Sequence, residues 1–236
     1  MKKLFAKYVM LLFCITFFIS NPVLSKQNDT TPNNITRDIQ QALRYHDSGK
    51  YMQQVEQTTQ KATTWFLKRI QKRSLSQKKL AVVFDIDETL LSNYSILKTY
   101  FQNFIPALVA LHNGDNFIIR YKADMQPQPI LPMQKLYNLI KQHNVAIFLI
   151  TGNHQQGKKY TVHQLHHIGY TGWTGIFFSP NHYHAASAAP YKTAVRKKIT
   201  AQGYDIILSM GDQYSDMKGG YAEKFFKLPN PYYFIP

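Results

Sequence analysis

The 236 residues are enough for one α/β domain or two small ones. Charged residues are 17% and aromatics 14% of the chain, which excludes a disordered polar tail, and the single cysteine excludes a disulfide scaffold. Lys plus Arg outnumber Asp plus Glu by 28 to 13, and the resulting +15 points to anionic partners: phosphorylated small molecules, nucleic acid or an acidic surface.

The chain opens with Lys2, Lys3 and Lys7, followed by an apolar run from Tyr8 to Ile19 and then Asn21, Pro22 and Ser25. This is the pattern of a secretory signal over residues 1–25, with Val23 and Ser25 at the −3 and −1 positions of a cut before Lys26. The run is shorter than the roughly 20 residues that span a bilayer. The expectation is a periplasmic or secreted protein after cleavage; the alternative is an anchor formed by the uncleaved segment. Removing residues 1–25 also removes Cys14, and a cysteine-free remainder suits an oxidising compartment.

Residues 26–33 read as a flexible lead into one domain over 34–236. Helices are predicted at 34–48 and 51–73, where Tyr51, Val55, Ala62, Trp65, Phe66 and Ile70 recur near the helical period. Leu80–Phe84 is an unbroken apolar run, as expected of a strand buried on both faces of a parallel sheet. Similar runs follow at 145–150, 175–178, 205–208 and 224–228, separated by helical stretches near 96–112, 132–143, 155–168 and 190–202. Pro190 suits the first turn of the last helix, and Gly203 the position just past its end. The alternation predicts a doubly wound, Rossmann-like parallel sheet, with N-terminal helices and a small helical lid inserted at about 94–131.

Ligands of such sheets gather at the carboxyl ends of the strands. The first strand leads into Asp85, Asp87 and Thr89, the second into Thr151, Gly152 and Asn153, and the fourth into Asp212 and Asp216. Lys192 opens the helix that follows the third. This set of acids, a hydroxyl and an ammonium suits phosphoryl transfer to an aspartate. Asp85 is the candidate nucleophile, since a carboxylate can form an acyl phosphate and divide a hard hydrolysis into two easier steps. Asp87 could protonate the leaving oxygen and later take a proton from water. Attack by an anion on a dianion calls for nearby positive charge from Lys192 and a magnesium ion. Asp85, Asp212 and a main-chain carbonyl near Asp87 are the candidate metal ligands.

The motifs VVFDIDETLLSN, FLITGN, the lysine of APYKTAVRKKI, and GDQYSDM make the chain resemble the haloacid dehalogenase superfamily. Within it, the resemblance is to secreted acid phosphatases of the class B/C type and to plant vegetative storage proteins, whose branch the tail KLPNPYYFIP also resembles. The resemblance implies magnesium-dependent hydrolysis of small phosphomonoesters. Asp85 would be the nucleophile and Asp87 the acid/base; Thr151, Gly152, Asn153 and Lys192 would bind phosphate. Asp212 would bind the metal, with Asp216 as a supporting acid. Many members carry Arg where this chain has Asn153, so a charge that could orient substrate is missing.

His163 with His167, and His182 with His184, could each bind zinc, but solvated surface histidines are the better reading, since neither pair has a third ligand at a recognised spacing. Tyr94 reads first as core or lid packing; facing the site, it could stack on a nucleobase, which would fit a nucleoside monophosphate substrate. A phosphotransferase on the same site and a non-catalytic storage or binding protein are the alternatives. A nucleic-acid binder is disfavoured, because the basic residues are scattered and no recognised module is present.

Overall fold

A computed structural model describes residues 34–72, 78–112, 126–183 and 185–235. The leader at 1–25, the lead at 26–33, residues 113–125 of the expected lid, and His184 lie outside the described residues.

Two helices come first, α1 (Ile35–Asp47) and α2 (Lys50–Ile70). The Asn34 side chain caps α1 by accepting from the Arg37 N–H at 3.2 Å. Between the helices Gly49 adopts φ +81°, a left-handed conformation that glycine takes without strain. Along α2, Tyr51, Val55, Thr59, Ala62 and Phe66 form one buried stripe. Burying a side chain such as Phe66 contributes about 1.5–3 kcal/mol relative to leaving it in water.

The strands are β1 (Lys79–Phe84), β4 (Ala146–His154), β5 (Gly175–Ser179), β6 (Tyr204–Gly211) and β7 (Phe225–Lys227), and they form one sheet in the order β5-β4-β1-β6-β7. Every pairing in it is parallel. The intervening helices are α3 (Tyr94–His112), α4 (Leu131–Gln142), α5 (Lys158–His167) and α6 (Ala189–Ala201). The alternation of side chains along β1 divides its apolar run between two cores. Leu80, Val82 and Phe84 join the stripe of α2 and Met133, Leu136, Tyr137 and Ile140 of α4. Ala81 and Val83 join Phe148, Ile150, Val195, Ile199 and Ile206 on the other face. The central strand is therefore apolar at consecutive positions because both faces are dry. Trp65 pins α2 to the sheet by donating its indole N–H to the Ile207 carbonyl at 2.7 Å.

The expected α/β architecture is the observed one, with three differences in detail. The apolar run 145–150 belongs to a longer strand, β4, which continues through Thr151–His154, where polar residues pair with β5 across a register shift. The helix expected from 155 begins as a 3-10 turn at Gln155–Gly157 and becomes α-helical only at Lys158. A two-residue antiparallel ladder, β2 (Leu91–Ser92) with β3 (Gln128–Pro129), closes the base of the excursion that contains α3. It escapes a periodicity search because two residues establish no period. Among the described residues no helix is long and apolar enough to cross a membrane.

Candidate active site

The carboxyl end of β1 is shaped by a tight turn. The Ile86 carbonyl accepts from the N–H groups of Thr89, Leu90 and Leu91 at 3.3, 2.8 and 3.2 Å. Glu88 takes φ +51°, uncommon for a residue with a Cβ, and this folds Asp87 to Thr89 back over the strand end. The Asp85 N–H donates to Met210 O of β6 at 2.9 Å, which fixes the aspartate between β1 and β6. Glu88 is fully buried and accepts from the Asn93 N–H at 2.8 Å. Burial pushes its carboxyl up to about 8.

Lys192 reaches the same place from the first turn of α6. Its Nζ is 2.7 Å from Asp85 Oδ1 and also donates to Asp216 Oδ1, and all three residues are buried. Burial alone would lower the pKa of the ammonium, but the two carboxylates beside it outweigh burial and raise it above its usual value. Asp216 uses its second oxygen too: Oδ2 accepts from the Gln213 N–H at 2.9 Å. It approaches the strand this closely only because residue 211 is glycine; a Cβ there would lie 2.1 Å from Asp216 Oδ2. Arg196, one turn after Lys192 and 1% exposed, donates to the carbonyls of Asp216 and Gly220, each at 2.9 Å, and holds that loop in place.

Asp212, at the end of β6, has one oxygen committed. Its Oδ2 accepts from Gln213 Nε2 at 2.5 Å and Asn230 Nδ2 at 2.6 Å. Oδ1 of Asp212 and Oδ2 of Asp85 both face the Thr89 hydroxyl, at 3.4 and 3.3 Å. A hydroxyl has one proton and cannot satisfy two carboxylate oxygens at once.

Asp85, Asp212 and Asp216 place carboxylate oxygens within 4.8 Å of one another, the one such group of three among the described residues. Burial raises all three carboxyls, Asp85 up to about 7 and Asp216 up to about 6, although Lys192 pulls them back. With the three ionised, one ammonium leaves two negative charges uncompensated in a dry space. A divalent cation that prefers oxygen fits this donor set. Asp85 and Asp212 are the members with an oxygen available for it, because both oxygens of Asp216 are already engaged.

Thr151 lies at the rim formed by β4 and is buried. Its Oγ1 accepts from the Asn153 N–H at 3.0 Å, which leaves its own proton as a donor. Gly152 and Asn153 are exposed beside it, and the single Ser179 hydroxyl lies 2.8 Å from the Gly152 carbonyl oxygen and 3.2 Å from that of Asn153. The Asn153 side chain turns to Asp87: Nδ2 is 2.8 Å from Asp87 Oδ2. Asn93 Nδ2 donates to Asp87 Oδ1 at 3.0 Å. Tyr94 donates its hydroxyl to Asp47 at 2.5 Å and stacks on His46 with ring centroids 3.4 Å apart, so one ring face is covered by α1. His163 and His167 stack on each other at 6.5 Å on α5, and among the described residues they join no group of three metal-ligating side chains.

The structure thus gathers Asp85, Lys192 and Asp216 into one ion-paired cluster with Asp212 beside it, and brings Asp87 together with Asn153. Sequence reasoning missed Asn93, Arg196, Gln213 and Asn230. All four lie inside the motifs and tail that carry the resemblance, but only the folded chain shows what each one holds.

A family model described as HAD superfamily, subfamily IIIB (acid phosphatase) matches residues 20–236. Acid phosphatase 1 of Solanum lycopersicum is 30% identical over 155 residues, which cover 65% of this chain and 58% of that protein. The stem 28 kDa glycoprotein of Glycine max is 32% identical over 156 residues, covering 65% and 59%. Vegetative storage protein 1 of Arabidopsis thaliana is 28% identical over 160 residues, covering 65% and 55%. The match thus spans less than two thirds of the length of these relatives. Among solved structures, the class C acid phosphatase from Bacillus anthracis superposes with a TM-score of 0.61 at 18% identity, covering 84% of this chain and 86% of that one, a likeness of fold.

Proposed function

This chain belongs to the HAD superfamily, subfamily IIIB (acid phosphatase), and from that membership we propose that it hydrolyses small phosphomonoesters, nucleoside monophosphates among them, through an aspartyl phosphate on Asp85. The observation that carries the reading is the buried Asp85–Lys192–Asp216 cluster beside Asp212, at the carboxyl ends of the strands.

Asp85 attacks phosphorus, and the P–O bond to the leaving group breaks as the new acyl phosphate bond forms. Asp87 gives its proton to the departing oxygen. Water then attacks phosphorus, Asp87 takes its proton, and Asp85 is released as a carboxylate with free phosphate. Lys192 has three N–H donors; two are engaged by Asp85 and Asp216, and the third can serve a phosphoryl oxygen. Thr151 donates its hydroxyl proton to another. Asp85 and Asp212, with the main-chain carbonyl near Asp87, would hold magnesium, which supplies positive charge against the phosphate dianion. The charged, apolar and small-residue pattern of residues 1–25 supports export to the periplasm or medium.

The test is a phosphatase panel of nucleotides, sugar phosphates and phosphotyrosine, with and without excess EDTA, on the parent and Asp85→Asn. Magnesium-dependent release of phosphate by the parent and none by the variant is the expected result. Full activity in the variant would remove Asp85 as nucleophile, and full activity in EDTA would remove the metal. A parent inert toward every ester would leave the storage reading suggested by the relatives named vegetative storage proteins.

A further inference from the structure

Asp87 projects from the turn after β1 with both carboxylate oxygens engaged by neutral amides: Asn93 Nδ2 on Oδ1 at 3.0 Å and Asn153 Nδ2 on Oδ2 at 2.8 Å. The two donors come from elements 60 residues apart in sequence, one at the start of α3 and the other at the end of β4, and each is itself anchored. The Asn93 N–H donates to the buried Glu88 carboxyl at 2.8 Å, and its carbonyl accepts from the Leu97 N–H at 2.9 Å. The Asn153 N–H donates to Thr151 Oγ1 at 3.0 Å, and its carbonyl oxygen lies 3.2 Å from the Ser179 hydroxyl.

We propose that Asn93 and Asn153 are positioning residues that aim Asp87, and that Asn153 serves the acid/base rather than the phosphate. The proposal rests on the reading of Asp87 as the acid/base. A half-buried aspartate has three χ1 wells and a nearly free χ2, and only a narrow part of that range puts a carboxyl oxygen against a leaving group. Two donors at fixed points, one on each oxygen, select a single orientation.

The experiment compares Asn153→Ala with the parent on two esters, p-nitrophenyl phosphate and a primary alkyl phosphate, with inorganic phosphate as inhibitor. The ratio kcat/KM reports steps up to formation of the phosphoenzyme, where the alkoxide needs a proton and the nitrophenolate scarcely does. Loss of one aiming hydrogen bond should lower kcat/KM for the alkyl ester about 3- to 10-fold. The nitrophenyl ester should lose less than about 2-fold, and phosphate inhibition should stay within about 2-fold. Asn93→Ala should reproduce this selectivity; because Asn93 also sits in a packed turn, the exposed Asn153 is the deciding site. The same Asn153→Ala change made on Asp87→Asn should then have no further selective effect. An equal loss on both esters with weaker phosphate inhibition would make Asn153 a phosphate ligand and overturn the proposal. So would a selective loss that persists without Asp87, or no loss at all. Asp87→Asn by itself is the control for the underlying reading: if it shows no leaving-group selectivity, the acid/base assignment has failed, separately from the clamp.

Discussion

Replacing Lys192 by methionine keeps most of the volume of the side chain and removes its charge, leaving two buried carboxylates facing each other. In the parent the ammonium is 2.7 Å from Asp85 Oδ1 and also bonded to Asp216, and all three groups are buried. At an effective dielectric constant near 20, two unit charges at that separation attract by about 6 kcal/mol, and desolvation cancels part of this. Removing one partner of a buried pair costs about 3–5 kcal/mol, because the remaining charge stays buried without an answer. For a domain of this size that corresponds to a fall in Tm of about 6–20 °C. Thermal melts in excess EDTA at pH 8 measure it without compensation by a divalent cation. The pH dependence gives a second check. Burial already holds Asp85 up to about 7 and Asp216 up to about 6 in the parent, and loss of Lys192 moves both higher. A carboxyl raised in the folded state favours folding while it is protonated and loses that advantage as pH rises from its unfolded value toward its folded one. The deficit of Lys192→Met should therefore shrink as pH falls from 8 to 5. Adding Asp85→Asn removes one stranded charge and should recover a large part of the loss. A deficit below about 1 kcal/mol at pH 8, or one unchanged by pH and by Asp85→Asn, would refute the argument that this ion cluster is electrostatically coupled.

Glu88→Gln retains the acceptor for the Asn93 N–H and removes a carboxyl whose pKa burial pushes up to about 8. In EDTA its Tm should match the parent near pH 5 and exceed it increasingly toward pH 8; parallel curves would contradict this. Gly211→Ala places a Cβ 2.1 Å from Asp216 Oδ2 and must displace that carboxylate from Lys192 and the Gln213 N–H. We expect a loss of at least about 2 kcal/mol by denaturant titration, and a stability near the parent's would show that the loop yields easily. Asn230→Ala frees Asp212 Oδ2 from the C-terminal segment. The magnesium concentration giving half of the metal-induced rise in Tm should increase about 3- to 10-fold, and an unchanged midpoint would show that the tail does not set the orientation of Asp212.

The architecture was legible because its determinants are local. An apolar run at every position of Leu80–Phe84, set between helical periods, has few ways to be buried other than as a central parallel strand. Proline at 190 and glycine at 203 bracket a helix by their own backbone preferences. Polar residues at or just past the ends of such runs lie at the carboxyl edge of the sheet, so Asp85, Thr151 and Asp212 could be placed on one rim from sequence order alone. The carboxyl end of β4 was not legible because its polar residues pair through the backbone, and the small ladder of β2 with β3 was not because two residues establish no side-chain period.

What the sequence could not contain was the partner of each functional group. Lys192 stands 107 residues from Asp85, and Asn153 stands 66 from Asp87. Neither spacing carries a signal, since the contacts follow from strand order and from where α6 lands on the sheet. Asn153 could be read as one more phosphate ligand while its neighbours in space were unknown; in the folded chain its amide is engaged by Asp87. Arg196 is buried under the loop that presents Asp216, although its neighbours Lys197 and Lys198 are exposed, and nothing local to the sequence distinguishes the three. The tail carried a resemblance but no role until Asn230 was found on Asp212. Local sequence determined the elements and the edge at which the acids stand, because propensity and burial act over a few residues. Tertiary structure decided which oxygen each donor holds, because hydrogen bonds and ion pairs depend on ångström-scale positions set by the packing of elements far apart in the chain.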